Sequence, residues 1–161
     1  METTTLLPPA ALKVREAAGR LGLAIAVQAM PQSTRTAEEA AAACGCGVAQ
    51  IVKSLVFAGK NSGSPYLLLV SGKNRVDEKG VAVVIGEALT RPDAQRVRDW
   101  TGFAIGGIPP FGHAAAMPVF VDEDLLGYDT VWAAAGTPSA VFAVEPKALA
   151  QAVGAKVIRV S

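Results

Sequence analysis

The sequence predicts a mixed α/β (α+β) fold: a mixed β-sheet with helices packed on its outside. Three observations predict it. Short apolar runs of strand length recur along the chain, capped helical segments fall between them, and hairpin-like pairs interrupt the alternation. The last of these argues against a regular doubly wound sheet. At 161 residues, with 51% apolar and 18% charged side chains, the chain can bury a core and is expected to form a single domain over 1–161. No internal repeat, linker or low-complexity tract divides it.

The elements follow in order. Pro8 and Pro9 precede a stretch with Ala11, Val14, Ala18 and Leu21 on one helical face, and Gly22 is a plausible stop, so a helix is expected over about 10–21. Leu23 to Met30 reads as the first strand, ended by Pro31. Ser33 or Thr36 can cap the next helix, and Thr36 with Glu39 has capping-box spacing. That helix runs through the alanines to about Ala43, where Gly45 and Gly47 break it. Val48 to Val52 reads as a short helical turn and Leu55 to Ala58 as a strand. The turn KNSGSP, Lys60 to Pro65, joins that strand to Tyr66–Ser71 in a hairpin.

Asp77 can cap a helix over Glu78–Ile85, a short strand is expected at Ala88–Thr90, and Pro92 with Asp93 start a helix to about Trp100. Strands are then expected at Val119–Val121, Thr130–Ala134, Ser139–Val144 and Lys156–Val160. A helix begun by Glu145 and Pro146 precedes the last of them. The acidic link Asp122–Asp124 reads as a solvated turn, and Glu38 with Glu39 as a helix face.

Composition excludes several function classes. Net charge is +1 from 15 basic and 14 acidic residues, without the positive excess of a protein gripping a long duplex. A nucleic-acid partner would be held by a short piece, such as an end. Cys44 and Cys46 are too close for an ordinary disulfide, and with His113 the sole histidine they make no metal framework; free thiols in a reducing compartment are expected. Met1–Pro9 lacks the features of a secretory leader, and no apolar run approaches the ~20 residues of a membrane span. A soluble, cytoplasmic protein with no metal and no cofactor is expected.

Chemistry concentrates in two places. In GFAIGGIPPFG, Gly102 to Gly112, the prolines stiffen a backbone that the glycines free for unusual dihedrals. Gly106, Gly107, Ile108, Pro109 and Pro110 are either a tight turn between strands or a loop aiming main-chain groups at a ligand. Neither GxGxxG nor a Walker ending is present. Lys53, in the apolar stretch QIVKSLVF, either snorkels to the surface or extends its ammonium into a cavity, where it would bind phosphate or carboxylate. His113 is a general base or a hydrogen-bonded bystander. No serine elbow is present, and no base neighbours the cysteines in sequence, so a covalent mechanism has no local signature.

The pairing of QIVKSLVF with GFAIGGIPPFG, about fifty residues apart, resembles the YbaK/ProX family of aminoacyl-tRNA deacylases, which also occurs as the editing insertion of bacterial prolyl-tRNA synthetases. The likeness runs almost end to end and includes STRTAEEAA and the late Gly136 turn. No synthetase catalytic or anticodon-binding region accompanies it, so the stand-alone form is expected. The resemblance implies a sheet partly closed into a barrel, with a pocket for the aminoacyl adenosine of a charged tRNA.

By the same resemblance Lys53 matches the family's functional lysine, and Gly106 and Pro110 match the ends of its GxxxP loop; these three are the catalytic candidates. Gly107, Ile108 and Pro109 within the loop, His113 beyond it, and Thr36 and Ser54 by position are substrate-binding candidates. Gly136 joins them, although AAAG replaces the double glycine of some relatives. The implied activity is hydrolysis, in trans, of mischarged tRNA, above all tRNA-Pro carrying Ala, Cys or a similar small residue. The implied partners are the tRNA acceptor end and, as a candidate, prolyl-tRNA synthetase. In such proteins the substrate itself assists, which fits the absence of a triad motif. Two alternatives stay open: a non-catalytic tRNA- or synthetase-binding module of the same fold, and a hydrolase of small free esters or amides.

Overall fold

In the computed structural model, which describes residues 7–161, helices α1 (Pro9–Arg20), α2 (Ala37–Cys44), α3 (Glu78–Ile85), α4 (Ala94–Thr101) and α5 (Pro146–Ala152) surround one mixed β-sheet. Most of Met1–Pro9, read above for a leader, lies outside the described residues. Among the described residues no helix is long and apolar enough to cross a membrane.

The sheet is organised by its longest strands, β2 (Ile51–Gly59) and β3 (Pro65–Ser71), paired antiparallel from Val52↔Ser71 to Ala58↔Pro65. On the far side of β3 follow β5 (Val119–Asp122) and β8 (Lys156–Ile158), both parallel to their neighbours. On the far side of β2 come β6 (Val131–Ala134), then β7 (Ala140–Val144) and the edge strand β1 (Val27–Ala29). A two-residue strand, β4 (Leu89–Thr90), also pairs with β2.

Residues 67–70 of β3, an unbroken apolar run, are buried because both faces of the sheet are covered. Leu67 and Leu69 join Val14 of α1, Phe111, Val121 and Phe142 in one core cluster; Leu68 and Val70 join Phe57, Val81 of α3 and Ile158 in a second. The hairpin turn is clamped by the Glu87 carboxylate, which accepts bonds from Asn61 N (3.0 Å), Ser62 N (2.9 Å), Ser62 Oγ (2.7 Å) and Tyr66 Oη (2.6 Å).

The helix starts follow their local signals. Thr36 forms the capping box with Glu39, and Asp77 and Asp93 accept bonds from Gly80 N and Arg96 N. Three expectations change. The first strand shrinks to Val27–Ala29, because only these residues meet β7, while Leu23 and Ile25 pack on the core instead. The turn after Gly47 is a 3₁₀ helix of Val48–Gln50 only, and β2 begins at Ile51, so Lys53 lies inside a strand. Asp122 is not in a solvated turn. It is 1% exposed, and its carboxylate accepts bonds from Ser71 N (3.0 Å), Asn74 Nδ2 (2.8 Å) and Asp124 N (2.9 Å).

Phe142→Ala should lower the urea unfolding free energy by about 3–5 kcal/mol, the range for emptying a packed aromatic site. Thr36→Ala, which removes one cap bond, should lower it by only about 1 kcal/mol.

Candidate active site

The site grows out of a gap in β2. One edge of β2 is paired with β3 along its length. On the other edge the β6 register stops at Val52 and the β4 register starts at Ala58, which leaves Lys53 to Phe57 without a strand neighbour. Gly72 N donates to Ile51 O (2.8 Å) and Gly59 N to Ser64 O (2.9 Å), so the odd-numbered residues of β2 turn their main-chain groups to β3. The alternation of an antiparallel ladder then sends the N–H and C=O of Ser54 and Val56 into the gap. Neither residue has a main-chain partner there among the described residues.

The gap is the floor of a two-lobed cleft. The smaller lobe, about 280 Å³, is mostly apolar; Ala37, Ala40, Ile51, Trp132 and Ala133 line it, together with Thr34 to Thr36. The larger lobe, about 600 Å³, is walled by Val56, Val76, Pro92, Val97 and the exposed Ile105, with Arg75 and Arg91 beside them. The lobes share Lys53, Ser54, Leu55, Ile105 and Ile108. Ser54 Oγ is buried and unpartnered.

Lys53 is partly buried, and its Nζ donates to Asn74 O at 2.5 Å. Asn74 is itself fixed, because its amide donates to Asp122 and Asp124, both at 2.8 Å. Burial draws the Lys53 pKa below that of a free lysine. Nearby Arg75 acts in the same direction, and Glu38 and Asp122 oppose it. The ammonium is thus aimed into the cleft by a carbonyl that a buried carboxylate holds in place.

The loop over the cleft is braced from behind. Gly136 N donates to Gly107 O (2.9 Å), and Gly107 presses so closely on Thr137 that an added Cβ would fall 2.7–2.8 Å from its main chain. Gly136 sits at φ +93°, with Ala10 O of α1 2.8 Å from where its Cβ would be. Gly106, at φ +99°, faces the cleft and packs on the Arg35 side chain.

Of the residues singled out in the sequence, Thr36, Lys53, Ser54, Gly106 and Ile108 line the cleft. Gly107, Pro109 and Gly136 do not line it. Pro110 and His113 face a separate surface groove with Leu21, Leu67 and Met117. His113 Nε2 lies 2.7 Å from Pro109 O; a carbonyl only accepts, so the proton is on Nε2. Burial lowers the His113 pKa. It braces the loop and does not reach the cleft. The Thr36 hydroxyl accepts from Glu39 N at 3.1 Å as the α2 cap. Burial, with Cys46 adding to it, pushes the Cys44 thiol up to about 11, and burial raises Cys46 too, so both stay protonated at neutral pH.

Sequence reasoning missed Thr34, Arg35, Asn74, Asp122 and Trp132. Thr34 and Arg35 adjoin the candidate Thr36 in STRTAEEAA, and Asn74 follows the hairpin strand closely, which were the local hints. The others come to the cleft or to its support from distant segments.

The aminoacyl-tRNA editing domain profile matches residues 31–152, a span that holds both Lys53 and the glycine-proline loop. The chain is 31% identical over 119 residues to the uncharacterized protein YwhH of Bacillus subtilis, covering 74% of this chain and 75% of that protein. It is 31% identical over 96 residues to proline–tRNA ligase of Limosilactobacillus fermentum, 57% of this chain but 17% of the ligase. A crystal structure of a protein proposed as a trans-editing enzyme for prolyl tRNA synthetase superposes with a TM-score of 0.91 at 48% identity, over 97% of this chain and 99% of that one.

Gly107→Ala should destabilise the protein by about 1–3 kcal/mol in urea unfolding, because main chain on both sides of the contact would have to move. Gly127→Ala, with nothing within 4 Å of its added Cβ, should change stability by less than about 0.5 kcal/mol.

Proposed function

The chain belongs to the aminoacyl-tRNA editing domain family, and from that premise we propose that it is a trans-acting deacylase of mischarged tRNA. The proposed substrate is tRNA-Pro carrying a small non-cognate residue such as alanine or cysteine. One observation carries the reading: a small apolar lobe and a larger lobe flanked by arginines meet at Lys53, Ser54, Ile105 and Ile108. A small amino acid suits the first lobe, and the terminal nucleotide suits the second. The ester between them would then lie at the junction.

The chemistry asks little of the protein. An aminoacyl ester is already activated, so a site that orients it and steadies charge on the carbonyl oxygen supplies most of what hydrolysis needs. Water adds to the carbonyl carbon, the tetrahedral adduct collapses, and the ribose oxygen leaves with a proton. In this reading Lys53 holds the nucleotide's phosphate or ribose through its ammonium, and the braced loop presents main-chain groups to the reacting carbonyl without reorganising. Prolyl-tRNA synthetase is the partner this reading suggests, as the source of the mischarged tRNA.

The test is deacylation of tRNA-Pro charged separately with Ala, Cys, Ser, 2-aminobutyrate and Pro. Removal of a small non-cognate residue, with Pro spared, is expected. Lys53→Ala should slow it by about 10²-fold, or ~2.7 kcal/mol at the transition state. An inert wild type that still binds tRNA would instead favour the binding module, and cleavage of simple esters without tRNA would favour the free-ester hydrolase.

Burial draws the Lys53 pKa below that of free lysine, so the contribution of its ammonium should disappear at a lower pH than a free lysine's would. The rate corrected for spontaneous ester hydrolysis should fall on an alkaline limb that Lys53→Ala lacks.

A further inference from the structure

We propose that the terminal base of the substrate is read by main chain: the N–H and C=O of Val56, on the open edge of β2, pair with the Watson–Crick edge of adenine. The proposal rests on the deacylase reading and specifies how its larger lobe recognises nucleic acid.

Unpaired main-chain groups inside a protein are satisfied by water or by a ligand. Native sheets also tend to cover or blunt an open edge. Here the sheet does neither for the stretch between Val52 and Ala58, although β6 and β4 occupy the same edge of β2 on either side. The gap of Lys53 to Phe57 spans roughly 17 Å at the rise of a strand, room for more than an amino acid.

Chemistry selects the ligand. Within the gap, Val56 belongs to the larger lobe only, whereas Ser54 lies where the two lobes meet. A strand residue facing an open edge presents one donor and one acceptor side by side. Adenine presents the complementary pair, the N1 acceptor beside the 6-amino donor. The apolar side chains that line the larger lobe with Val56 include Val76, Pro92, Val97, Ile105 and Ile108. They suit the faces of a flat base. Arg75 and Arg91 lie beside them for phosphate, Arg91 being held by Glu78 at 3.0 Å. Every uncleaved tRNA ends in adenosine, so a main-chain reader would serve any acceptor end, and the choice of amino acid would fall to the smaller lobe.

The test uses hydrolysis-resistant 3′-alanylamino-3′-deoxynucleosides carrying adenine, purine without the 6-amino group, 1-deazaadenine or 3-deazaadenine, titrated into the ¹⁵N-labelled protein. With adenine, the Val56 amide resonance should shift strongly, and those of Leu55 and Phe57, which face β3, should shift little. Removing the 6-amino group or N1 should weaken binding by about tenfold each, the effect of one lost hydrogen bond. The 3-deaza base keeps the Watson–Crick edge and should bind like adenine. Equal affinity for all four bases, or a Val56 shift no larger than that of Phe57, would overturn the proposal. Deacylation of alanyl-tRNA-Pro, measured in parallel, stands or falls separately. Binding that discriminates the bases without turnover would leave the base reader in place and remove the deacylase.

Discussion

Strand β2 is paired along its whole length on one side and only at its two ends on the other, and the rest of the site depends on that asymmetry. Were a single strand to run the length of that edge, Lys53 would sit in an ordinary ladder. Because they are separate segments that meet β2 at opposite ends, the middle of β2 is held rigid by β3 while its other edge is exposed to the cleft. A strand fixed on one side is a firmer platform for a ligand than a loop of the same composition.

Two sets of interactions turn that platform into a site. Below it, Asp122 is buried between Ser71, Asn74 and Asp124 and holds the carbonyl that receives the Lys53 ammonium. A buried carboxylate is tolerated only when its lone pairs are filled, and here several donors fill them. Above it, the glycine-proline loop is pressed against the Gly136–Thr137 turn, which in turn rests on Ala10 of α1. The absence of side chains at Gly107 and Gly136 is what allows three backbone layers to approach so closely. His113, on the outer side of the loop, adds a bond to Pro109 and an edge-on contact with the Phe103 ring at 6.4 Å. Loop and lysine are thus positioned from opposite directions by groups that never touch the cleft.

Much of this was written in local signals. Thr36, Asp77 and Asp93 cap the helices they precede in sequence, the KNSGSP turn closes the expected hairpin, and the mixed sheet with outer helices follows from the irregular alternation of elements. Each depends on residues a few positions apart, where backbone preference and side-chain bonding act directly. The resemblance of the Lys53 and glycine-proline motifs to an editing family likewise needed only their order and spacing.

What the sequence could not determine is which long-range pairings would be made and which omitted. That β2 starts at Ile51 reflects Ile51 and Val52 meeting Trp132 and Ala133 from eighty residues away. That Asp122 is a buried support rather than a solvated charge reflects its meeting with Ser71 and Asn74 from distant parts of the chain. Local propensity sets the elements because its energies act within a few residues. The gap in the sheet, the division of the cleft and the orientation of Lys53 arise only when segments far apart in the chain compete for the same edge of one strand.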